Sequence, residues 1–270
     1  YSLKIEKVFQ RAYDLNANII STSAFLATVD ISLRLLRSFF SSNIYIGSLM
    51  PEKSVISIFI IDYYYFYYAK IMTKSTFFVE EDKIIVSLFD EGLDNLHLYK
   101  PGSSPLYAER LLSLIPEEYY DKITVHDHFY LKNEYRLGGI HLDTPNLEIP
   151  KGYKGRISQH CDNLENLRDI KKKSDYVFLK NIFDCIEFSD EKSSFTNEQL
   201  VEASKKGLLD KKVYALGGMS IDNIKYAKDL GFGGVVICGD LWNRFNIHNE
   251  IDYKELILHF EKLRKAVGWS

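Results

Sequence analysis

Five of the seven histidines in this chain fall where short apolar runs stop: His97, His126, His128, His141 and His160. An imidazole titrates near neutral pH, so at such a place it can move a proton or bind a metal. His160, after the run Arg156–His160, is a candidate acid–base group; a hydrogen-bonded histidine at a helix start is the competing role. His126 and His128 lie two apart, which puts both rings on one strand face and raises a zinc pair. No further ligands at recognisable spacing accompany them. Asp127 could offer a carboxylate oxygen to a hard cation such as Mg2+, or cap the next helix. His97, Tyr99 and Lys100, then Asp143 and Asn146, Ser158, Lys180 and Asn181 complete the polar residues at the ends of apolar runs.

Near the C-terminus the chemistry passes from side chains to backbone. Ala215-Leu216-Gly217-Gly218-Met219 and Val235-Val236-Ile237-Cys238-Gly239-Asp240 each read as a buried strand that stops at glycine and opens a helix. Without a Cβ, the amides there can approach a ligand closely. Two such ends side by side suit a phosphate; tight strand–helix turns would use the same residues. As the last two units of an alternating series they point to a phosphorylated small molecule.

The elements that must position these groups can be counted off. Strands are expected at 67–73, 95–99, 123–126, 139–142, 156–160, 176–179, 213–216 and 235–237. Helices are expected at 80–91, 105–114 and 252–267, with capping-box spacing at Asp162–Glu165 and at Thr196–Gln199. Eight apolar strands alternating with helices predict a parallel sheet covered on both faces, an α/β (β/α)8 TIM barrel. A doubly wound open sheet is weaker, because no GxGxxG follows the first strand. Residues 63–270 are assigned to the barrel and 1–62 to an irregular N-terminal extension with no functional reading.

Composition narrows the classes. The 270 residues are 46% hydrophobic and 26% charged with net charge −3, an ordinary globular balance without the basic footprint of a nucleic-acid binder. Three cysteines, Cys161, Cys185 and Cys238, lack CxxC spacing and suggest neither a disulfide framework nor a structural zinc site, so a reducing cytoplasm is expected. Lys4, Glu6 and Lys7 precede no clean signal sequence. The apolar run 55–69 is short, tyrosine-rich and interrupted by Asp62, so no membrane span is expected.

The ordered set Leu96-His97-Leu98, His126-Asp127, Gly139-Ile140-His141-Leu142, Ile157-Ser158-Gln159-His160, Asp175-Tyr176-Val177, Ala215-Leu216-Gly217-Gly218 and Gly233-Gly234-Val235-Val236 resembles the thiamine phosphate synthase/TenI family over roughly residues 65–245. Its synthases join an aminopyrimidine pyrophosphate to a thiazole phosphate with Mg2+; its TenI-type members tautomerise the thiazole phosphate to the aromatic form. The resemblance implies that Gly217, Gly218, Cys238 and Gly239 hold the thiazole phosphate, that Ser158 faces the pyrimidine and that Asp127 is a Mg2+ ligand. His97, Lys100 and His126 join the expected substrate-binding set. A homodimer is compatible with it, since members commonly pair.

The departures favour one branch. His97, Tyr99 and Pro101 replace the synthase's Gln-x-Arg-x-Lys, with Lys100 a partial substitute; Thr144-Pro145-Asn146 replaces Gln-Glu-Asp; Lys180-Asn181 replaces Gly-Pro. The half that binds pyrophosphate is eroded and the half that binds thiazole phosphate is retained. The expectation is a thiazole phosphate tautomerase with His160, at the Ser-x-His position, as its catalytic group. A divergent synthase needing Mg2+ and a ligand-binding relative without turnover are the alternatives.

Overall fold

The computed structural model describes residues 68–144, 147–187, 190–244 and 254–268. The expectations for residues 1–62, and nearly all of the apolar run 55–69, lie outside the described residues. Eight parallel strands close into a barrel in sequence order: β1 (Tyr68–Met72), β2 (Leu96–Leu98), β3 (Ile123–Val125), β4 (Gly139–Leu142), β5 (Arg156–Cys161), β6 (Tyr176–Leu179), β7 (Val213–Leu216) and β8 (Gly234–Ile237). The last strand pairs with the first, Tyr68 with Gly234 through Ile71 with Ile237. The (β/α)8 expectation holds.

Among the described residues eight helices accompany the strands: α1 (Glu81–Asp90), α2 (Pro105–Ser113), α3 (Tyr130–Glu134), α4 (Leu167–Lys173), α5 (Asn197–Lys205), α6 (Ile224–Asp229), α7 (Gly239–Trp242) and α8 (Lys254–Val267). A short 3-10 helix, Glu117–Lys122, leads into β3. Among the described residues the connection from β4 to β5 carries no helix. Apolar side chains on the outer face of the strands meet the helices in one continuous layer that includes Ile84, Leu88, Leu112, Val235 and Leu263, all fully buried. Each such side chain contributes about 1.5–3 kcal/mol on burial. Trp242 anchors α7 by donating its indole N–H to Met72 O at 2.7 Å.

The barrel interior differs from that layer. Its apolar part is Met72, Tyr176, Phe178, Tyr214, Leu216 and Val236. The rest is polar: Lys70, Asn95, His97, Thr124, His126, His141 and Ser158 are all buried. Strand register puts His141 beside Ser158, Ser158 beside Tyr176, and His160 beside Phe178. Polar groups excluded from water must bond to one another, and this is what builds the site.

Two local expectations are corrected. The capping box at Thr196–Gln199 forms, with both reciprocal bonds present, but the one at Asp162–Glu165 does not. There α4 starts later, at Leu167, because Asn163 Oδ1 accepts from the Asn166 N–H at 2.9 Å and holds the segment in turns. His128 does not share a strand face with His126. β3 ends at Val125, His128 takes φ 52°, and its Nε2 sits 3.0 Å from Ser103 O. Among the described residues no helix is long and apolar enough to cross a membrane.

Candidate active site at the barrel mouth

β3, β4 and β5 end side by side, so His126, Asp143 and His160 converge although 34 residues separate the first from the last. Asp143 Oδ1 lies 2.8 Å from His126 Nδ1 and 3.1 Å from His160 Nδ1. Behind His126 the bonding continues inward: its Nε2 is 2.9 Å from His97 Nδ1, and His97 Nε2 is 2.9 Å from the Tyr176 hydroxyl. His141 stacks on His126 and places its Nδ1 2.7 Å from Ser158 Oγ.

Burial decides the charges. His97 and His141 are held well below the ordinary histidine range, first by burial and then by neighbouring imidazoles, so both are neutral at pH 7. His160 is also lowered by burial, with Asp143 opposing. Burial alone would raise the Asp143 carboxyl, but the bonds from His126 and His160 outweigh it and keep it ionised. A carboxylate fixed against Nδ1 leaves His160 Nε2 to carry the lone pair. That Nε2 is buried and has no partner, the arrangement of a base oriented by an acid.

The sequence-predicted residues divide into groups. His126 and His160 meet through Asp143, while His97 and Ser158 lie beneath them, buried in the barrel interior. Lys100 takes no part in the site. It is buried against Phe77, bonds Glu81 Oε1 at 2.6 Å and Thr76 O at 2.8 Å, and so cannot replace the missing cations. Asp127 is not a helix cap: α3 begins at Tyr130 after Phe129, and Asp127 Oδ2 is buried without a partner. One free carboxylate oxygen fits Mg2+ held jointly with a ligand phosphate; Asn146 lies outside the described residues.

The glycine loops have a packing reason of their own. Gly217 and Gly218 take φ 102° and 62°, and the loop after β6 crosses over them, with Ile182 N donating to Leu216 O and Phe183 N to Gly217 O. A Cβ on Gly217 would meet Asn181 Cα at 2.8 Å, and one on Gly218 would meet Asp184 O at 2.2 Å. A Cβ on Gly239 would meet Ile186 and Glu187 at 3.2 Å. Glu187 also accepts from the Cys238 thiol, Sγ to Oε2 3.4 Å, and with burial this keeps the thiol protonated.

No protein-family model and no curated protein matches the chain. Among solved structures, a thiamine phosphate pyrophosphorylase from Bacteroides thetaiotaomicron is 47% identical over 73% of this chain and 96% of its own, with TM-score 0.66. This chain belongs to the thiamine phosphate synthase/TenI family. A thiamine phosphate pyrophosphorylase from Pyrococcus furiosus, 17% identical over 75% of this chain and 96% of its own, has the same fold at TM-score 0.58. A tryptophan synthase alpha-subunit from the same organism, 12% identical over 74% of this chain and 98% of its own, also shares the fold at TM-score 0.54.

For a thiamine phosphate synthase/TenI-family barrel the residue that sequence reasoning left without a role is Asp143. Its strand-end position, two residues after His141, was the available signal. Its partners lie on β3 and β5, so the pairing appears only once the barrel closes.

Proposed function

We propose that this barrel binds a thiazole phosphate at its mouth and tautomerises it to the aromatic form, with His160 moving the proton. The observation that supports this is the Asp143–His160 pair, which leaves a lone pair on a buried, unpartnered Nε2. Tautomerisation takes a proton from one atom of the ligand and returns one to another, so one positioned base that becomes the acid serves both steps. His126 orients Asp143, and His97 and Tyr176 orient His126. Ser158 holds His141 from below. Gly217, Gly218, Cys238 and Gly239 are proposed as the phosphate cradle, which requires Glu187 to leave the Cys238 thiol. Cysteine spacing that suggests no disulfide framework supports a reducing, cytoplasmic setting.

The test is turnover of the non-aromatic thiazole phosphate tautomer by the wild type and by His160→Asn. Loss of about 10²–10⁴-fold in turnover with ligand affinity kept is the expected result. Wild-type turnover no faster than the uncatalysed reaction would remove the catalytic role. Affinity and turnover falling together would make His160 a binding residue.

A second reading, a divergent synthase, draws on the 47% identical thiamine phosphate pyrophosphorylase and on the unpartnered Asp127 Oδ2. There Asp127 would hold Mg2+, which supplies charge neutralisation to the phosphate oxygens. Lys100, paired with Glu81, does not complete that set.

A further inference from the structure

His141 is fully buried, and its Nε2 has no hydrogen-bond partner. Its tautomer follows from its neighbours. With Ser158 Oγ donating to Ile140 O at 3.3 Å, the 2.7 Å contact with His141 is assigned as Nδ1–H donating to Ser158. Nε2 then carries a bare lone pair that faces the Asp143 carboxylate oxygen at 3.9 Å. His160 approaches the same oxygen to 3.1 Å from the other side, and its Nε2 is likewise buried and unpartnered. The His141 lone pair thus faces a carboxylate with no proton between them, a repulsion that a cation placed there relieves.

We infer that His141, Asp143 and His160 form a binding site for a borderline divalent metal ion, zinc in the first instance, at the mouth of the barrel. Their donor atoms lie within 4.8 Å of one another. Tetrahedral zinc with bonds of about 2.0–2.1 Å sets neighbouring ligand atoms about 3.3 Å apart. The observed 3.1 and 3.9 Å bracket that spacing, so sub-ångström shifts close the site. Two imidazoles and one carboxylate are a donor set for zinc rather than for Mg2+, which takes oxygen ligands. His141 Nδ1–H donating to Ser158 is the outer-shell bond that orients a metal-bound imidazole. His97, His126 and His141 also approach one another, but all three are buried in the barrel interior, with His97 bonded through both nitrogens. Asp143 and His160 are 22% and 13% exposed, so the site opens to solvent on one side and leaves a fourth position for water or ligand.

A metal ion at this site takes His160 through Nδ1, the nitrogen 3.1 Å from Asp143, which moves the ring proton to Nε2 and removes the base of the proposed tautomerase, so zinc is expected to suppress turnover. Metal uptake is therefore measured without thiazole phosphate, and a failure of the tautomerase reading would not touch it. The experiment is calorimetric titration of the metal-free full chain with Zn2+, and with Co2+ read by its visible absorption. The expected result is one Zn2+ per chain and tetrahedral cobalt bands, with affinity reduced more than about 100-fold in Asp143→Asn and His160→Asn and about 10–100-fold in Ser158→Ala. Thermal melting checks that each variant is folded. His160, the less enclosed of the two imidazoles, keeps the test usable if changes at the buried His141 do not fold. No uptake by the wild type, octahedral cobalt, or uptake unchanged by Asp143→Asn in a folded protein would each overturn the site.

Discussion

Asp143 stands 3.1 Å from His160 Nδ1 across the gap between β4 and β5, and this contact sets which nitrogen of His160 is free. A neutral imidazole presents a donor on one nitrogen and an acceptor on the other. With the carboxylate on Nδ1, the acceptor is Nε2.

Replacing the carboxylate tests this directly. Asp143→Asn keeps the volume but can offer an amide N–H to Nδ1, which moves the proton to Nε2 and removes the base. Tautomerase turnover should fall at least about 100-fold, with little change in thiazole phosphate affinity. A pH–rate profile separates orientation from packing. Loss of the acid limb, with the fold intact by circular dichroism, is expected; an unchanged profile would leave Asp143 without an influence on His160.

Gly218→Val reports on the glycine loops. A Cβ there would overlap Asp184 O and Phe183 Cβ, at a backbone φ of 62° that β-branched residues avoid. Overlap and strain together should destabilise the fold by about 2 kcal/mol or more, read as a shift in the urea midpoint. Thiazole phosphate affinity should drop as well, because the loop after β6 must move. A variant as stable as the wild type would show that this crossing is looser than the contacts imply.

The buried Lys70 makes stability depend on pH. Burial, the largest cause, with the Arg156 charge, brings it from the ordinary lysine value down to about 7. Below pH 7 it is protonated in both states and the native state bears the full penalty. Between about 7 and 10.5 the unfolded chain binds the extra proton, so stability rises with pH through that window. The slope approaches about 1.4 kcal/mol per pH unit for one group. Lys70→Met should flatten it, despite losing the 3.0 Å bond to Asn95 and the contacts with the Tyr176 and Tyr214 rings. Identical urea-derived slopes in wild type and variant would contradict this account.

Coupling of aminopyrimidine pyrophosphate to thiazole phosphate with Mg2+ should be poor. Donors aimed at a leaving group are worth a few kcal/mol each, and Tyr99 and Pro101 supply no charge while Lys100 is neutralised by Glu81 at 2.6 Å. Product formed at about 1 per second or faster would be ordinary enzyme turnover and would favour the synthase reading.

Much of the architecture was legible along the chain. Runs such as Val213–Leu216 and Gly234–Ile237 are buried at every position, so their apolarity alone marks parallel strands, and their order gives the barrel. The ends of the apolar runs also mark His126, Asp143 and His160 in the sequence. What they could not supply was who bonds to whom. Asp162 and Thr196 begin segments of the same capping spacing, yet only Thr196 caps a helix, because Asn163 competes locally in the first. Lys100 looked like a cation for a phosphate until Glu81, 19 residues earlier, took it. The glycines of the last two loops looked like a ligand cradle, and packing under the β6 loop demands them as well. Sequence thus determined the elements, because periodicity and turn chemistry act over a few residues. The barrel's closure decided the site, because it sets charges and lone pairs from β3, β4 and β5 within hydrogen-bond distance, where burial rather than residue type assigns the protons.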